Sequence, residues 1–334
     1  MPGTGPTIAD IARAAEVSTA TVSHALNGTG RLGGSTRRRV REVAAALGYG
    51  VRRGPRTRTL GVAVTTFAGS PWDFVGVAYF SRLLTAATSA AHARGYALTT
   101  LPAERGGEPL WHTLAVDGML LLDSPAEDPV PGALRARGLP VVFDGRPTDP
   151  RPEDVWVDND HVAMTREVLD HLAGSGARRV ALQCGDGREF YTTAVTSAYA
   201  SWCARRGLAP LVIPFDPEDH AGHAFDASFG AAGARPDAVY CAYDPGGRQA
   251  LAAAARHRIR TPEELLLVCA SEDPVYAEDE LSVTTVTLNP ERIAVCAVSA
   301  LVTLIESGQA ESPGRQLVPA SLRVRTSSVR PDMY

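Results

Sequence analysis

Apolar residues near the start of the chain recur at helical spacing. Ile8, Ile11, Ala12 and Ala15 share one face of a first short helix. Thr7 stands before it as an N-cap, and Asp10, three residues on, completes a capping box with Asp in place of Glu. The pattern breaks at Glu16-Val17-Ser18. Residues 19–26 resume it as a second helix, with Val22, Ala25 and Leu26 inward and Thr19, Ala20, Ser23 and His24 outward. After a loop over 27–34, residues 35–47 form a third helix with Val40, Val43, Ala44 and Leu47 on its inner face. Two short helices across a tight turn that holds Val17 make a helix-turn-helix pattern, a small all-α head.

From Leu60 the periodicity changes. Short apolar runs at 60–64, 96–100, 118–122, 140–143 and 155–157 read as strands, and 80–94 reads as a helix stopped by Gly95. A second half repeats the scheme. It has helices at 162–172, 193–206 (stopped by Gly207) and about 247–256, and strands at 179–183, 211–213, 238–242 and 265–268. Alternating β and α elements imply parallel sheets with helices on both faces. The expected fold class is therefore the all-α head followed by α/β: two doubly wound parallel-sheet lobes of periplasmic-binding-protein type, with ligands at the strand C-terminal ends.

Charge sharpens this division. The chain has 334 residues and a net charge of −4. Through Arg58 it carries ten arginines against Asp10, Glu16 and Glu42, or +7, and the remainder carries −11. A basic head on an acidic body suggests a polyanion-binding module joined to something that does not bind polyanions. The second helix offers small hydroxyls for phosphates and one His for a base edge; Arg31 and the cluster Arg37-Arg38-Arg39-Arg41 add positive charge. A three-helix bundle for protein contacts is the alternative. No apolar run is long enough to span a bilayer, and no secretory signal is visible, so the expected location is the cytoplasm, on the nucleoid. The scattered cysteines Cys184, Cys203, Cys241, Cys269 and Cys296 read as reduced, mostly buried thiols.

The residues of the head carry a family likeness. Thr7-Ile8-Ala9-Asp10-Ile11-Ala12, then Val17 through Asn27, then Thr36-Arg37 and Leu47-Gly48-Tyr49 resemble the head of LacI/GalR-family transcriptional repressors. The resemblance implies that Thr19, Ala20 and His24 read bases, and that Ser18, Thr21, Ser23, Asn27 and Thr36 meet phosphates. Thr7, Arg31 and Arg37 are further candidate DNA contacts. Gly33 stands where the family often has a Ser N-cap for the third helix, so that cap is weaker or shifts to Ser35. The family linker folds into a hinge helix whose Leu wedges into the minor groove. Here residues 50–59 are about five residues shorter than that form, lack Leu, and contain Gly50, Gly54 and Pro55, which oppose a helix. Arg52, Arg53 and Arg56 make it either a solvated basic tether or an extended arm along DNA.

The likeness continues at lower density through Val116-Asp117-Gly118-Met119, residues 140–144, Val157-Asp158-Asn159, His171-Leu172 and residues 281–286. It implies a head over 1–49, a linker over 50–59 and an effector-binding and dimerisation body over 60–330. One lobe of that body spans about 60–157 and 289–316, and the other about 158–288 and 317–330. No heptad repeat follows the last strand, which favours a dimer over a tetramer. Family pockets carry an Arg and an Asp that clamp polar ligands. In that frame Val195 takes the Arg position and Ser271 the Asp position, while Tyr79, Phe80, Asp144, Tyr191, Phe215 and Tyr243 fall among other lining positions. An aromatic or less polar effector is then expected rather than a simple sugar.

Other chemistry is weakly signalled. Gly185-Asp186-Gly187 lacks the Lys-Ser/Thr of a phosphate loop, His220 and His223 beside Asp216 and Asp219 read as a solvated loop rather than a metal site, and no GxSxG elbow occurs. No cofactor and no enzyme activity are expected. The expected function is a sequence-specific repressor that binds a near-palindromic operator as a homodimer and responds to a small molecule. The alternatives are a regulator with a degenerate pocket, controlled by a protein partner or not at all, and a small-molecule binding protein without regulatory role.

Overall fold

Thr7 caps the first helix, α1 (Ile8–Ala14), through a full capping box. The Asp10 N–H donates to the Thr7 hydroxyl at 3.3 Å, and the Thr7 N–H donates back to the Asp10 carboxylate at 2.8 Å. The structure is a computed structural model that describes residues 7–26, 32–47, 56–65, 74–101, 113–231, 233–278, 282–307 and 314–330. At the other end of α1 the Val17 N–H reaches back to the Ala12 carbonyl (3.0 Å) and the Glu16 N–H to that of Arg13 (3.3 Å). This is a Schellman ending, and Glu16 occupies its left-handed position with φ 53°. Val17 thereby turns into the small core of Ile11, Ala12, Ala15, Val22, Ala25, Val40 and Ala44.

Helix α2 (Thr19–Leu26) is capped by Ser18, whose hydroxyl accepts the Thr21 N–H at 3.0 Å. Helix α3 (Gly34–Ala46) begins one residue earlier than its pattern predicts. The Gly33 carbonyl accepts the Arg37 N–H, so Gly33 keeps the cap position and Ser35 lies inside the first turn. Two positions expected to face inward do not. Ile8, in the first turn of α1, is 36 % exposed, and Leu47, just past the end of α3, is 39 % exposed. The Leu26 side chain lies outside the described residues.

The body holds two six-stranded sheets. The first contains β1 (Thr59–Val64), β2 (Ala97–Leu101), β3 (Gly118–Leu122), β4 (Val141–Asp144), β5 (Val155–Asp158) and the late strand β11 (Arg315–Leu317), in the order β11-β5-β4-β3-β1-β2. The second contains β6 (Val180–Cys184), β7 (Val212–Pro214), β8 (Ala238–Cys241), β9 (Leu266–Ala270), β10 (Thr284–Thr287) and β12 (Ser321–Arg323), in the order β12-β10-β9-β8-β6-β7. All pairings are parallel except β10 with β12. Both sheets thus share one doubly wound order, and each takes one short strand from the C-terminal segment.

Strand alternation fills two cores per lobe. In β3, Leu120 and Leu122 join one layer while Met119 and Leu121 join the other; in β8, Ala238 and Tyr240 part from Val239 and Cys241 in the same way. The helices that cover these faces include α4 (Ala78–His92), α5 (Pro129–Ala136), α6 (His161–Gly174), α7 (Phe190–Arg205), α8 (Asp226–Phe229), α9 (Gly246–Arg256), α10 (Val275–Glu278) and α11 (Pro290–Ser307). Gly95 and Gly207 supply the left-handed residues (φ 76° and 65°) just past α4 and α7. Helix α11, absent from the pattern reading, packs on α4 and on β3 and β4. Its Ile293, Ala294, Ala297, Val298, Leu301 and Leu304 are all buried.

Three crossings join the lobes, after β5, after β10 and after β11. Asn159 ties them together. Its amide donates to the Leu288 carbonyl at 3.1 Å and to the Val318 carbonyl at 2.8 Å. The lobes also touch across the cleft, where the Ala78 N–H donates to Asp244 at 3.2 Å and the Arg82 guanidinium to the Glu272 carbonyl at 3.0 Å.

Candidate functional site

The strand C-terminal ends of both lobes converge on one cavity that is partly open to solvent. In doubly wound folds this is the place where small molecules bind. From the first lobe come Tyr79 and Phe80 on α4, Asp123 just past β3, and Asp144 and Asp158 at the ends of β4 and β5. From the second come Glu189 and Tyr191 at the start of α7, Phe215 after β7, Tyr243 and Asp244 after β8, and Ser271 and Glu272 after β9. The cavity is therefore shared, and its shape depends on how the lobes sit.

One wall is aromatic. Phe215 and Tyr243 stack with ring centroids 4.6 Å apart and planes at 29°. Tyr191 meets Tyr243 edge-on at 5.7 Å, and His161 meets Tyr191 edge-on at 4.8 Å. The Tyr191 hydroxyl donates to the Ala242 carbonyl.

The remaining polar surface is acidic. Among the described residues the lining holds six carboxylates and no arginine. Four of the acids are already engaged. Glu272 pairs with Arg82 at 3.3 Å and accepts the Thr287 hydroxyl and the Leu288 N–H. Asp158 accepts from the backbones of Arg146 and Asn159 and meets the His161 ring at 2.7 Å. Asp244 accepts the Ser271 hydroxyl and the Ala78 N–H. Glu189 receives the hydroxyls of Thr192 and Tyr243.

Asp123 and Asp144 are less well served. Among the described residues the Asp144 carboxylate accepts one hydroxyl, that of Tyr79, at 3.1 and 3.0 Å to its two oxygens. Burial, followed by the charge of Asp158, raises its pKa to about 7 against the pull of the Tyr79 hydrogen bond. Asp123 has a left-handed backbone (φ 48°) and sits beside Asp144 across the β3–β4 pair, its N–H donating to the Asp144 carbonyl at 3.0 Å. Burial and then the charge of Asp144 push the Asp123 carboxyl well above the ordinary range. Asp244 rises to about 6, chiefly through burial.

Of the residues the sequence singles out for the pocket, Tyr79, Phe80, Asp144, Tyr191, Phe215, Tyr243 and Ser271 line the cavity. Val195 does not: it is 1 % exposed and lies in the hydrophobic core between α7 and its sheet. Tyr191, one turn earlier, reaches the cavity instead. Beside Asp144, five further acids line the cavity that the sequence did not single out: Asp123, Asp158, Glu189, Asp244 and Glu272. Asp216 and Asp219 serve local turns: Asp219 accepts the backbone N–H groups of His223 and Ala224 at 2.9 Å each.

On the head, Thr7, Ser18, Thr19, Ala20 and His24 are exposed, and Thr21, Ser23, Thr36 and Arg37 are half-buried. Thr19, Ala20 and His24 form the outer face of α2. The Ser18 and Thr21 hydroxyls lie 2.8 Å apart, so they form one polar spot at the start of that helix. Arg56, read as a DNA contact, is held by the body here. Its guanidinium donates to Glu306 at 3.4 Å and to the Ile305 carbonyl at 3.3 Å, at the end of α11. Asn27, Arg31, Arg52 and Arg53 lie outside the described residues.

A helix-turn-helix head joined to two doubly wound lobes around a shared cavity defines a DNA-binding transcriptional regulator with a periplasmic-binding-protein-like body. The chain belongs to the lacI family of bacterial regulatory proteins: residues 7–50 match that family, and residues 169–328 match the periplasmic binding protein-like domain. The HTH-type transcriptional regulator CelR of Thermobifida fusca is 28 % identical over 96 % of this chain and 98 % of its own length. The HTH-type transcriptional repressor PurR of Pasteurella multocida is 24 % identical over 91 % of this chain and 93 % of its own. A solved structure described as a transcriptional regulator CelR-cellobiose complex superposes with a TM-score of 0.72 at 26 % identity, covering 96 % of this chain and 99 % of that one. A lac repressor dimer bound to operator and the anti-inducer ONPF shares the fold, with a TM-score of 0.69 at 22 % identity over 98 % of this chain and all of that one. Among the described residues no helix is long and apolar enough to cross a membrane, and no group of three or more His, Cys, Asp or Glu side chains is arranged to hold a metal ion.

Proposed function

We propose that this chain is a cytoplasmic repressor that binds a near-palindromic operator as a homodimer, and that a small molecule in the interlobe cavity changes its affinity for DNA. The observation that carries this reading is the cavity, whose lining comes from both lobes, so an occupant would fix their relative position. The cellobiose named with the CelR structure supports a small-molecule occupant. The aromatic wall here favours a flat or apolar molecular face over a simple sugar. In this proposal residues 1–49 bind DNA, residues 50–59 tether the head, and residues 60–330 bind the effector and dimerise. Thr19, Ala20 and His24 read bases. Thr7, Ser18, Thr21, Ser23, Asn27, Arg31, Thr36 and Arg37 hold phosphates, joined by tether arginines in place of a leucine wedge.

Selection of bound sites from a random DNA pool tests the reading. The selected sites should be two inverted half-sites, and His24→Ala should relax one base pair in each at a cost of about 1–3 kcal/mol. A single asymmetric site, or a base preference unchanged in the His24 variant, would contradict it.

A further inference from the structure

We propose that the effector is an organic cation: a small molecule with an apolar or aromatic body and a protonated amine, the amine seated between Asp123 and Asp144 and the body on the Phe215–Tyr243 stack. This rests on the reading that the interlobe cavity is the effector site, and names the chemistry that site selects.

The cavity has two unlike surfaces that ask for one ligand. The stacked Phe215 and Tyr243, with Tyr191 edge-on, offer π-faces and little hydrogen-bonding capacity, since the Tyr191 hydroxyl is already bound to Ala242. The first lobe's part of the lining holds Asp123 and Asp144, the two acids with the fewest donors among the described residues. Among the described residues the one guanidinium paired with a lining acid is that of Arg82, on Glu272, and Arg82 also pairs with Glu291 at 2.6 Å. Asp144 is 4 % exposed and, among the described residues, has a single hydroxyl donor, from Tyr79. The Asp123 carboxylate has neither a cation nor a hydrogen-bond donor among the described residues.

A neutral polyol could donate to these oxygens but would leave the two adjacent acids without countercharge, so that burial and mutual repulsion keep them protonated; a cation seated between them favours their ionised forms instead. An anion would be repelled. An ammonium group has three donors and one positive charge, and it is attracted to aromatic faces as well as to carboxylates. A bare divalent ion would use the acids and leave the aromatic wall without a role, and the described carboxylates do not converge as metal ligands.

The test uses the full chain without DNA and matched probe pairs that differ in charge: benzylamine against benzyl alcohol, tyramine against 4-hydroxyphenethyl alcohol, and glucosamine against glucose. Thermal-shift and calorimetric titrations should give at least one amine about ten- to a hundred-fold tighter than its neutral partner, the range for a hydrogen bond to a charged group. Asp123→Asn and Asp144→Asn should each remove most of that preference while leaving the circular dichroism spectrum unchanged. Tyr243→Ala, a second route, should weaken the aromatic amines more than glucosamine. Neutral probes binding as well as the amines would overturn the charge assignment and leave the cavity as an effector site. No stabilisation by any of the six would overturn both. Amine preference that persists in both Asn variants would place the amine elsewhere and overturn the assignment.

Discussion

Asp144 shows how one residue links the cavity to stability. In an unfolded chain it is an ordinary aspartate; in the fold its pKa is raised to about 7, first by burial and then by the charge of Asp158. Tyr79 on α4, Asp123 beyond β3 and Asp158 on β5 are the groups that face it. The folded state holds the proton more tightly than the unfolded state. Its contribution to stability is therefore complete below about pH 4 and is lost as pH rises through about 7. Asp244, raised to about 6, adds in the same direction. The melting temperature of the ligand-free protein should fall between pH 5 and 8, and Asp144→Asn should flatten that fall. Calorimetric scans across this range check it; an unchanged slope in the variant would mean that Asp144 is ionised throughout. The acids were legible in one sense. Leu122-Asp123, Phe143-Asp144, Val157-Asp158, Tyr243-Asp244 and Ser271-Glu272 each follow a strand run directly, and in a doubly wound sheet that position opens on the cleft. Of these acids the family frame singles out Asp144 alone, because that frame points to the two clamp positions and not to the strand ends. Val195 was misplaced for the same reason, since one helical turn separates a cavity position from a core position.

At the scale of elements, alternation made the parallel strands readable to within a residue or two, because each buried strand must satisfy two hydrophobic layers. Helix α11 escaped for the opposite reason. Pro290–Ser307 is apolar around much of its circumference, so no polar stripe marks its period, and it lies across α4 with most of its surface covered. Strands β11 and β12 are three residues each, too short for a pattern. Sequence also does not disclose that Asn159 bridges all three crossings, since Leu288 and Val318 are distant in the chain. Asn159 is 3 % exposed, so Asn159→Ala would strip two carbonyls of a buried donor. We expect a loss of about 1–3 kcal/mol. Amide exchange should rise at the crossings after β5, β10 and β11 while the interiors of both sheets stay protected. Uniformly faster exchange throughout would mean that Asn159 holds up a lobe rather than the hinge.

Across the whole molecule, the charge division follows the fold, and the two charged parts meet at the tether. Asp117 accepts the Thr57 N–H at 2.8 Å and the Arg58 N–H at 2.9 Å, while Glu306 pairs with Arg56 at 3.4 Å and Arg58 at 3.7 Å. The end of the tether is thus fixed to β1's entry and to the end of α11, both in the first lobe. A rotation of that lobe would carry the tether with it, without any need for a hinge helix. The same anchoring keeps two arginines off the DNA. These pairs are largely exposed, so each is weak and open to competition by phosphate. Glu306→Gln should release Arg56 and Arg58 to the operator backbone. Each new phosphate contact adds roughly 0.9 to the slope of log affinity against log salt, so the slope should steepen by about 1–2 in the variant. Gel shifts over a range of salt concentrations measure this directly. An unchanged slope would mean that the tether arginines never reach the phosphates, and the basic segment would then act as a spacer. A steeper slope together with a weaker response to effector would show that the same two residues both restrain the arm and pass the lobe's motion to the head.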